Sequence, residues 1–358
     1  MSVRVAASAG FCFGVDRAVG LVEQTVREGK RAVTLGPIIH NHHVVQHFAA
    51  LGVREIASPE EVPGGSAVII RSHGVSRAVY EALQARGLEI IDATCPFVSR
   101  IHRIVQEAEA NGRQPLIIGT PEHPEVVAIA GWCRHPLVFP DGEALQKWLD
   151  DDPKRHDLPF TMVSQTTSTQ FLWDSCKKIA KKVCTNLEFF DTICKATENR
   201  QAEAAALAAQ CDAMIVVGDR KSSNTGRLAH ICAAHCPQVF LVDNASELDL
   251  PKLRQAGTIG ITAGEDDADL SGALTRANDA LCALTCQKTL LALLPAEAEA
   301  PDSYCVFHAP SSPVSAADAA ASETAHLLVC SENTDADLYT LFSAEARVLQ
   351  LLEIADRT

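Results

Sequence analysis

Three cysteines, remote from one another in the chain, follow the same kind of segment. Ile90-Ile91-Asp92-Ala93-Thr94-Cys95 and Phe189-Phe190-Asp191-Thr192-Ile193-Cys194 each read as two apolar strand residues, then Asp-x-x-Cys, then a helix. Cys12 likewise follows a strand pattern at residues 3–7 and precedes a helical one at 16–29. Thiolates hold iron–sulfur clusters, and three of them on a four-iron cube leave one iron open to a substrate. Structural zinc takes four ligands, usually from closely spaced cysteine pairs, which these three lack. Burial as a small hydrophobic side chain is the plainer account of the same residues. Spacing alone leaves both readings open.

The histidines are placed with similar regularity. His40 ends Gly36-Pro37-Ile38-Ile39-His40, His73 stands between Ser72 and Gly74, and His123 lies in Gly119-Thr120-Pro121-Glu122-His123-Pro124-Glu125. Each follows an expected strand, at a level where an anionic ligand could be held; a surface or core histidine is the alternative for each. Ser222-Ser223-Asn224 follows the strand pattern at 214–217 and leads into a helix. Hydroxyls, an amide and free backbone N–H groups at a helix N-terminus make a phosphate seat, although N-capping alone would select the same residues. Gln165-Thr166-Thr167-Ser168 carries the same ambiguity. Glu125, two residues after His123, could donate protons if both point into one closed cavity.

These residues need a scaffold, and the chain's periodicity describes one. Short β-branched or aliphatic runs at 3–7, 68–70, 88–91, 115–118, 161–164, 187–190, 214–217, 239–242 and 258–261 alternate with helical patterns. Such alternation predicts α/β architecture with parallel sheets, whose functional groups lie beyond the carboxyl ends of the strands. The repeated cysteine position suggests three similar α/β units around a common centre, at 1–95, 96–193 and 194–286. Residues 287–358 are expected to be a linker and C-terminal extension: 295–324 is rich in Ala, Ser, Pro and acidic residues, and apolar content returns at 326–330, 338–342 and 344–352.

Composition narrows the class. The 358 residues carry 31 Lys+Arg against 45 Asp+Glu, a net charge of −14, with 47% apolar and 21% charged residues. These are ordinary globular values, and the length predicts two or three domains. The acidic balance speaks against a general nucleic-acid binder. No apolar run approaches the ~20 residues of a membrane span, and the N-terminus lacks the features of a signal peptide; a soluble, cytoplasmic protein is expected. Thirteen cysteines is an odd count in a long chain, which favours metal or catalytic roles over a disulfide framework. Cys176 and Cys184 fit one helix face, and Cys211 a helix end. The i, i+4 pairs Cys232/Cys236 and Cys282/Cys286 could bind zinc but read more simply as packed helix faces.

In combination the motifs are far more specific. Gly10-Phe11-Cys12-Phe13-Gly14-Val15-Asp16-Arg17-Ala18, His40-Asn41, Ser72-His73-Gly74-Val75-Ser76, Asp92-Ala93-Thr94-Cys95-Pro96, His123-Pro124-Glu125, Gln165-Thr166-Thr167, Cys194 with Asn199-Arg200-Gln201, Ser222-Ser223-Asn224 and Thr262-Ala263-Gly264 occur in this order. Over about residues 1–282 the chain closely resembles the LytB-type 4-hydroxy-3-methylbut-2-enyl diphosphate reductases, which perform the last step of the non-mevalonate isoprenoid pathway. The resemblance implies a pseudo-threefold trefoil of three α/β units around a [4Fe–4S] cluster held by Cys12, Cys95 and Cys194. It implies that His40, His73, Ser222, Ser223 and Asn224 bind the diphosphate of an allylic substrate and that His123 lies in the same pocket. Thr166 would order the hydroxyl end, and Glu125 would relay protons. The implied partner is an electron-donor protein such as ferredoxin or flavodoxin.

One departure stands out. The family carries a small residue and then Ser after the motif Thr262-Ala263-Gly264, whereas this chain continues Glu265-Asp266-Asp267-Ala268. Asp266 falls at the serine position, where a carboxylate would repel a diphosphate unless protonated, turned away or bridged by a cation. Two other readings stay open on the residues alone: a cluster-containing hydrolyase without net electron transfer, and a non-catalytic member that keeps the cluster.

Overall fold

The computed structural model describes residues 2–243, 247–253 and 256–264, together with two short strands near 307 and 329. The chain opens with β1 (Ser2–Val5) and α1 (Phe13–Arg27). A first group follows: β2 (Ala32–Leu35), α2 (His42–Ala50), β3 (Arg54–Ile56), β4 (Ala67–Ile70), α3 (Arg77–Ala85) and β5 (Ile90–Asp92). The second group is α4 (Pro96–Ala110), β6 (Gln114–Ile118), α5 (Pro124–Ala130), β7 (Leu137–Phe139), α6 (Gly142–Asp150), β8 (Phe160–Ser164), α7 (Gln170–Val183) and β9 (Leu187–Phe189). The third is α8 (Lys195–Ala208), β10 (Ala213–Val217), α9 (Ser223–Ala233), β11 (Gln238–Val242), α10 (Leu250–Leu253) and β12 (Thr258–Ala263). Beyond it, β13 (Phe307–His308) and β14 (Val329–Cys330) form a separate parallel pair.

The three main sheets share one strand order. They run β3-β2-β4-β5, β7-β6-β8-β9 and β11-β10-β12-β1, with every pairing parallel. In each the first strand of a group pairs with the second and third, and a fourth strand joins at the edge. The third sheet takes its fourth strand, β1, from the start of the chain. This is the expected α/β fold of three parallel sheets with flanking helices.

Each sheet is covered on both faces, so its inner strands read as continuous apolar runs. Ile69 packs under α1 with Val15, Ala18 and Val22, while its neighbours Val68 and Ile70 face Leu83 of α3. The same division separates Leu116 and Ile118 from Ile117, and Ala213, Ile215 and Val217 from Met214 and Val216. A period of two along the strand thus feeds two half-cores per sheet.

The helices after the three cysteines cross between sheets. α1 follows β1 of the third sheet but packs on the first, beside Ile69. α4 follows β5 of the first sheet and buries Ile101 and Val105 against Ile117 and Val163 of the second. α8 follows β9 of the second sheet and buries Ala204 and Ala208 against Met214 and Val216 of the third. Each cysteine therefore stands at the handover from one unit to the next, and three handovers close the trefoil. No described helix is long and apolar enough to cross a membrane.

Candidate active site

The three cysteines occupy equivalent backbone positions. Cys12, Cys95 and Cys194 are the N-caps of α1, α4 and α8, and none uses its side chain to cap the helix. Their carbonyls instead accept the first helical bonds, from Asp16, Ser99 and Glu198 at 2.9–3.0 Å. The Asp-x-x-Cys repeat has a local cause. Asp92 Oδ1 accepts the Thr94 N–H at 2.9 Å and Asp191 Oδ1 the Ile193 N–H at 3.2 Å, Asx turns that swing the chain off the strand toward the cysteine. All three thiols are half-buried, belong to no disulfide, and line one cavity. Burial pushes the Cys95 thiol up, against the pull of the Phe97 and Val98 N–H groups; the neighbouring Cys194 and Glu125 push it further. Bonding to a cation would remove that penalty, since a buried thiolate is stable only when paired.

The same cavity is lined by His40, His73, His123 and the start of α9. Each histidine rides on a loop at the carboxyl end of a parallel strand: β2, β4 and β6. His40 and His73 lie 4.6 Å apart between ring centroids, and His123 lies 5.6 and 5.4 Å from them. Burial drives all three imidazoles toward the neutral form, His123 to about 4. The half-buried cation Arg71 works in the same direction on each. His123 Nδ1 accepts the Glu125 N–H at 3.2 Å, capping α5, so its neutral form carries the proton on Nε2.

At α9, Ser222 Oγ caps the helix by accepting the Thr225 N–H. Ser223 Oγ meets Thr167 Oγ1 at 3.3 Å and Gln165 Nε2 at 3.4 Å, joining the third unit to the second. Asn224 is 1% exposed, yet neither its Oδ1 nor its Nδ2 finds a hydrogen-bond partner in the protein. His40 Nε2 and His73 Nδ1 are buried and unpartnered in the same way. Native interiors seldom leave polar atoms so. Four such atoms around one cavity mark a seat for a polar ligand.

Glu125, 3% exposed on α5, lines the cavity as well. Its Oε1 accepts the Thr166 N–H at 2.6 Å, and its Oε2 meets the Thr166 hydroxyl at 2.6 Å. Burial raises its carboxyl above the usual range, and the two Thr166 bonds and Arg227 only partly offset it. A carboxyl held toward the protonated form is suited to donate a proton.

One space of about 650 Å³ thus brings together every site residue expected from the sequence: Cys12, Cys95, Cys194, Glu125, Thr166, His40, His73, His123, Ser222, Ser223 and Asn224. Asp266 and the Cys282/Cys286 pair fall outside the described residues. Cys232 and Cys236 lie in the apolar core between α8, α9 and the third sheet, away from the cavity; Cys176 and Cys184 pack in the core of the second unit.

Residue types alone did not reveal three contributors. Arg71 is a half-buried cation beside the His40 and His73 loops; Gly36 has φ +73°, and a β-carbon there would stand 2.7 Å from Arg71 Nη1. Arg227 has a buried, unpartnered Nη1 and acts on both His123 and Glu125. It lies three residues after Asn224 on α9, a helical spacing that could have pointed to it. Gly14 packs against two of the cysteine sulfurs.

Known proteins resemble this chain along the part that builds the cavity. The 4-hydroxy-3-methylbut-2-enyl diphosphate reductase of Caldanaerobacter subterraneus subsp. tengcongensis is 38% identical over 277 residues, 75% of this chain and 93% of that protein. The reductase of the same name from Clostridioides difficile is 38% identical over 269 residues, 74% and 94% of the two chains. A solved (E)-4-hydroxy-3-methyl-but-2-enyl diphosphate reductase, the terminal enzyme of the non-mevalonate pathway, superposes with a TM-score of 0.59 at 33% identity, over 78% of this chain and 99% of that one. The E-1-hydroxy-2-methyl-but-2-enyl-4-diphosphate reductase from Plasmodium falciparum gives a TM-score of 0.71 at 25% identity, over 79% and 87%. Residues 3–268, which carry all three cysteines and the whole cradle, match the LytB protein family: the chain belongs to it.

Proposed function

We propose that the protein is a 4-hydroxy-3-methylbut-2-enyl diphosphate reductase, which removes the C4 hydroxyl of its substrate as water with two electrons and two protons, giving isopentenyl and dimethylallyl diphosphate. The observation that carries this reading is one cavity lined both by three thiols and by unpartnered polar atoms of Asn224, His40 and His73.

The residues present fit an iron–sulfur cluster. Three thiols at three helix N-termini form an all-sulfur donor set beside the positive ends of three helix dipoles. Gly14 leaves open the space next to Cys95 and Cys12, which a β-carbon would fill. A [4Fe–4S] cluster held by Cys12, Cys95 and Cys194 would supply the electrons, one at a time, and an iron without a protein ligand as Lewis acid to the substrate hydroxyl.

The chain's own residues bind and protonate. Asn224, with the Ser222 and Ser223 hydroxyls and the α9 N-terminus, anchors the diphosphate, whose negative charge is matched by the helix dipole. His40, His73 and His123 close around it, and a bound dianion would draw protons onto these neutral rings. Anchoring the tail fixes the hydroxyl end near Thr166 and Glu125, converting a bimolecular encounter into a positioned one. Glu125 holds a proton at a buried carboxyl, and Thr166 Oγ1, able to accept from Glu125 and donate onward, passes it to the departing hydroxyl. An electron-donor protein of ferredoxin or flavodoxin type and a cytoplasmic location complete the reading.

The test is anaerobic reconstitution, iron and sulfide analysis, then turnover of the allylic diphosphate with reduced methyl viologen. Consumption of two electrons per product is expected. Product formed without dye oxidation would make the protein a hydrolyase instead, and cluster without turnover would make it a binding protein.

A further inference from the structure

The helix capped by one cysteine also ties down the approach to another. α1, capped by Cys12, carries Arg17, whose Nη2 donates to Asp92 O at 3.0 Å and Nη1 to Thr94 O at 3.2 Å. Those carbonyls belong to the segment that ends at Cys95. α8, capped by Cys194, carries Arg200, whose Nε donates to Ser8 O at 2.9 Å and Nη2 to Gly10 O at 2.7 Å. One turn further on, Glu203 accepts the N–H groups of Ala7 at 2.7 Å and Ser8 at 2.9 Å, and the Ser8 hydroxyl. That segment ends at Cys12. Arg200 is only 4% exposed, and charge-assisted bonds of this kind are roughly twice as strong as neutral ones.

The third corner is built differently. Arg100 stands five residues after Cys95, as Arg17 does after Cys12, but it is exposed. Among the described residues no α4 side chain bonds the segment that ends at Cys194. That segment is fastened instead to its own sheet: Thr192 Oγ1 donates to Ser164 O at 2.6 Å and accepts the Ser164 N–H at 2.8 Å.

Resting on the reading that these cysteines hold a cluster, we propose that Arg17 and Arg200 are positioning residues for the ligands Cys95 and Cys12, and that Cys194 is the corner at which the ring of ligands opens first. The nearer clamped carbonyls, Thr94 O and Gly10 O, lie one and two residues before their cysteines, and the farther ones, Asp92 O and Ser8 O, three and four, so the clamp fixes the backbone that aims the sulfur. Supports of this kind around metal ligands hold the ligand geometry and are felt in metal retention. The coupling is directional: Cys194's helix holds Cys12, Cys12's helix holds Cys95, and no described helix side chain holds Cys194 in turn.

The test uses the anaerobically reconstituted holoprotein, stripped slowly with a chelator in the presence of iodoacetamide, with peptide mass spectrometry to read which thiol is alkylated and when. In the wild-type protein Cys194 should be alkylated ahead of Cys12 and Cys95. Arg200→Gln should bring Cys12 forward while leaving Cys95 in its place, and Arg17→Gln should bring Cys95 forward while leaving Cys12. Arg17→Lys and Arg200→Lys, which keep the charge and one donor, should fall between, and they stand in if a glutamine variant fails to fold. Equal acceleration of all three thiols, the mark of general loosening, overturns the proposal, as does an order that neither substitution alters. A wild-type protein that takes up no iron overturns the cluster reading itself, a result distinct from either.

Discussion

Gly14 and Cys95 meet though 81 residues apart in the chain (95 − 14): a β-carbon on the glycine would stand 2.7 Å from the Cys95 sulfur and 3.9 Å from that of Cys12. Gly14 is a helical residue of α1, where alanine is favoured by about 1 kcal/mol, so propensity does not explain the glycine. Space for the sulfurs does. Gly14→Ala should therefore impose strain of about 1–3 kcal/mol, typical of overpacking, and it falls on the cysteine positions. The expected result is a lower iron-to-protein ratio with unchanged helical circular dichroism. Gly20→Ala is the control: it lies on the same helix with nothing within 4 Å of the added carbon, and should raise stability by roughly 0.5–1 kcal/mol. Full iron loading in Gly14→Ala would show that the sulfurs do not need this gap.

Glu125 and Thr166 offer a cleaner separation of chemistry from structure. Glutamine can keep both bonds of Glu125, accepting from the Thr166 N–H and donating to its hydroxyl, but it has no proton to give. Glu125→Gln should retain iron and substrate affinity while turnover falls about 10²–10⁴-fold, the usual worth of a general acid. Thr166→Val removes the relay hydroxyl and leaves the acid, so it should lower turnover less. The pH dependence of stability carries a sign as well. The raised carboxyl of Glu125 binds its proton more tightly folded than unfolded, so stability is lost as pH rises from about 4.5 through the folded value. Glu125→Gln should flatten that slope in chemical denaturation.

The histidines have the opposite sign. Their folded values lie below the ordinary 6.5, that of His123 at about 4. Folding therefore expels protons, and stability falls as pH drops from 6.5 toward 4. A bound diphosphate, by favouring the charged form, opposes the burial that keeps these rings neutral. Binding of substrate or inorganic diphosphate between pH 6 and 7 should take up protons, seen in calorimetry as a binding heat that scales with buffer ionisation enthalpy. Affinity should rise as pH falls within that window. His73→Gln should reduce the uptake; a proton count of zero in the wild-type protein would remove the histidines from contact with the anion.

The sequence exposed the parts of this architecture that rest on local chemistry. The Asp-x-x-Cys repeat was readable because an Asx turn needs only the aspartate and its own backbone two residues on. The histidine loops were readable because they follow strands, such as Ala67–Ile70 and Gln114–Ile118, whose buried runs stand out. Strands β3 and β7 went unseen: each has three residues, and Arg54 and Glu55 of β3 are exposed, so neither shows a usable period. The loop of His40 reads as the end of a strand, but the strand itself, at 32–35, is absent from the apolar runs that the sequence displays. No local pattern says that β1 completes the last sheet or that α1, α4 and α8 each cross to the next one. Arg17 and Arg200 were visible only as members of motifs, since their partners lie 75 or more residues away.

Asn224 provides the sharpest separation of ligand binding from stability. Its carbonyl and amide are buried without a protein partner, and an unsatisfied buried group costs roughly 1–3 kcal/mol. Removing both polar atoms together relieves that penalty, while the lost side chain leaves a small gap in a cavity that is already open. Asn224→Ala should therefore melt at or above the wild-type temperature without ligand. With diphosphate added, the wild type gains stability by mass action, about 2.7 kcal/mol at a hundredfold excess over its dissociation constant. The variant should gain much less, because the two atoms that would bond the anion are gone. A variant that is clearly less stable than the wild type alone, and equally stabilised by diphosphate, would show that Asn224 serves the fold rather than the ligand.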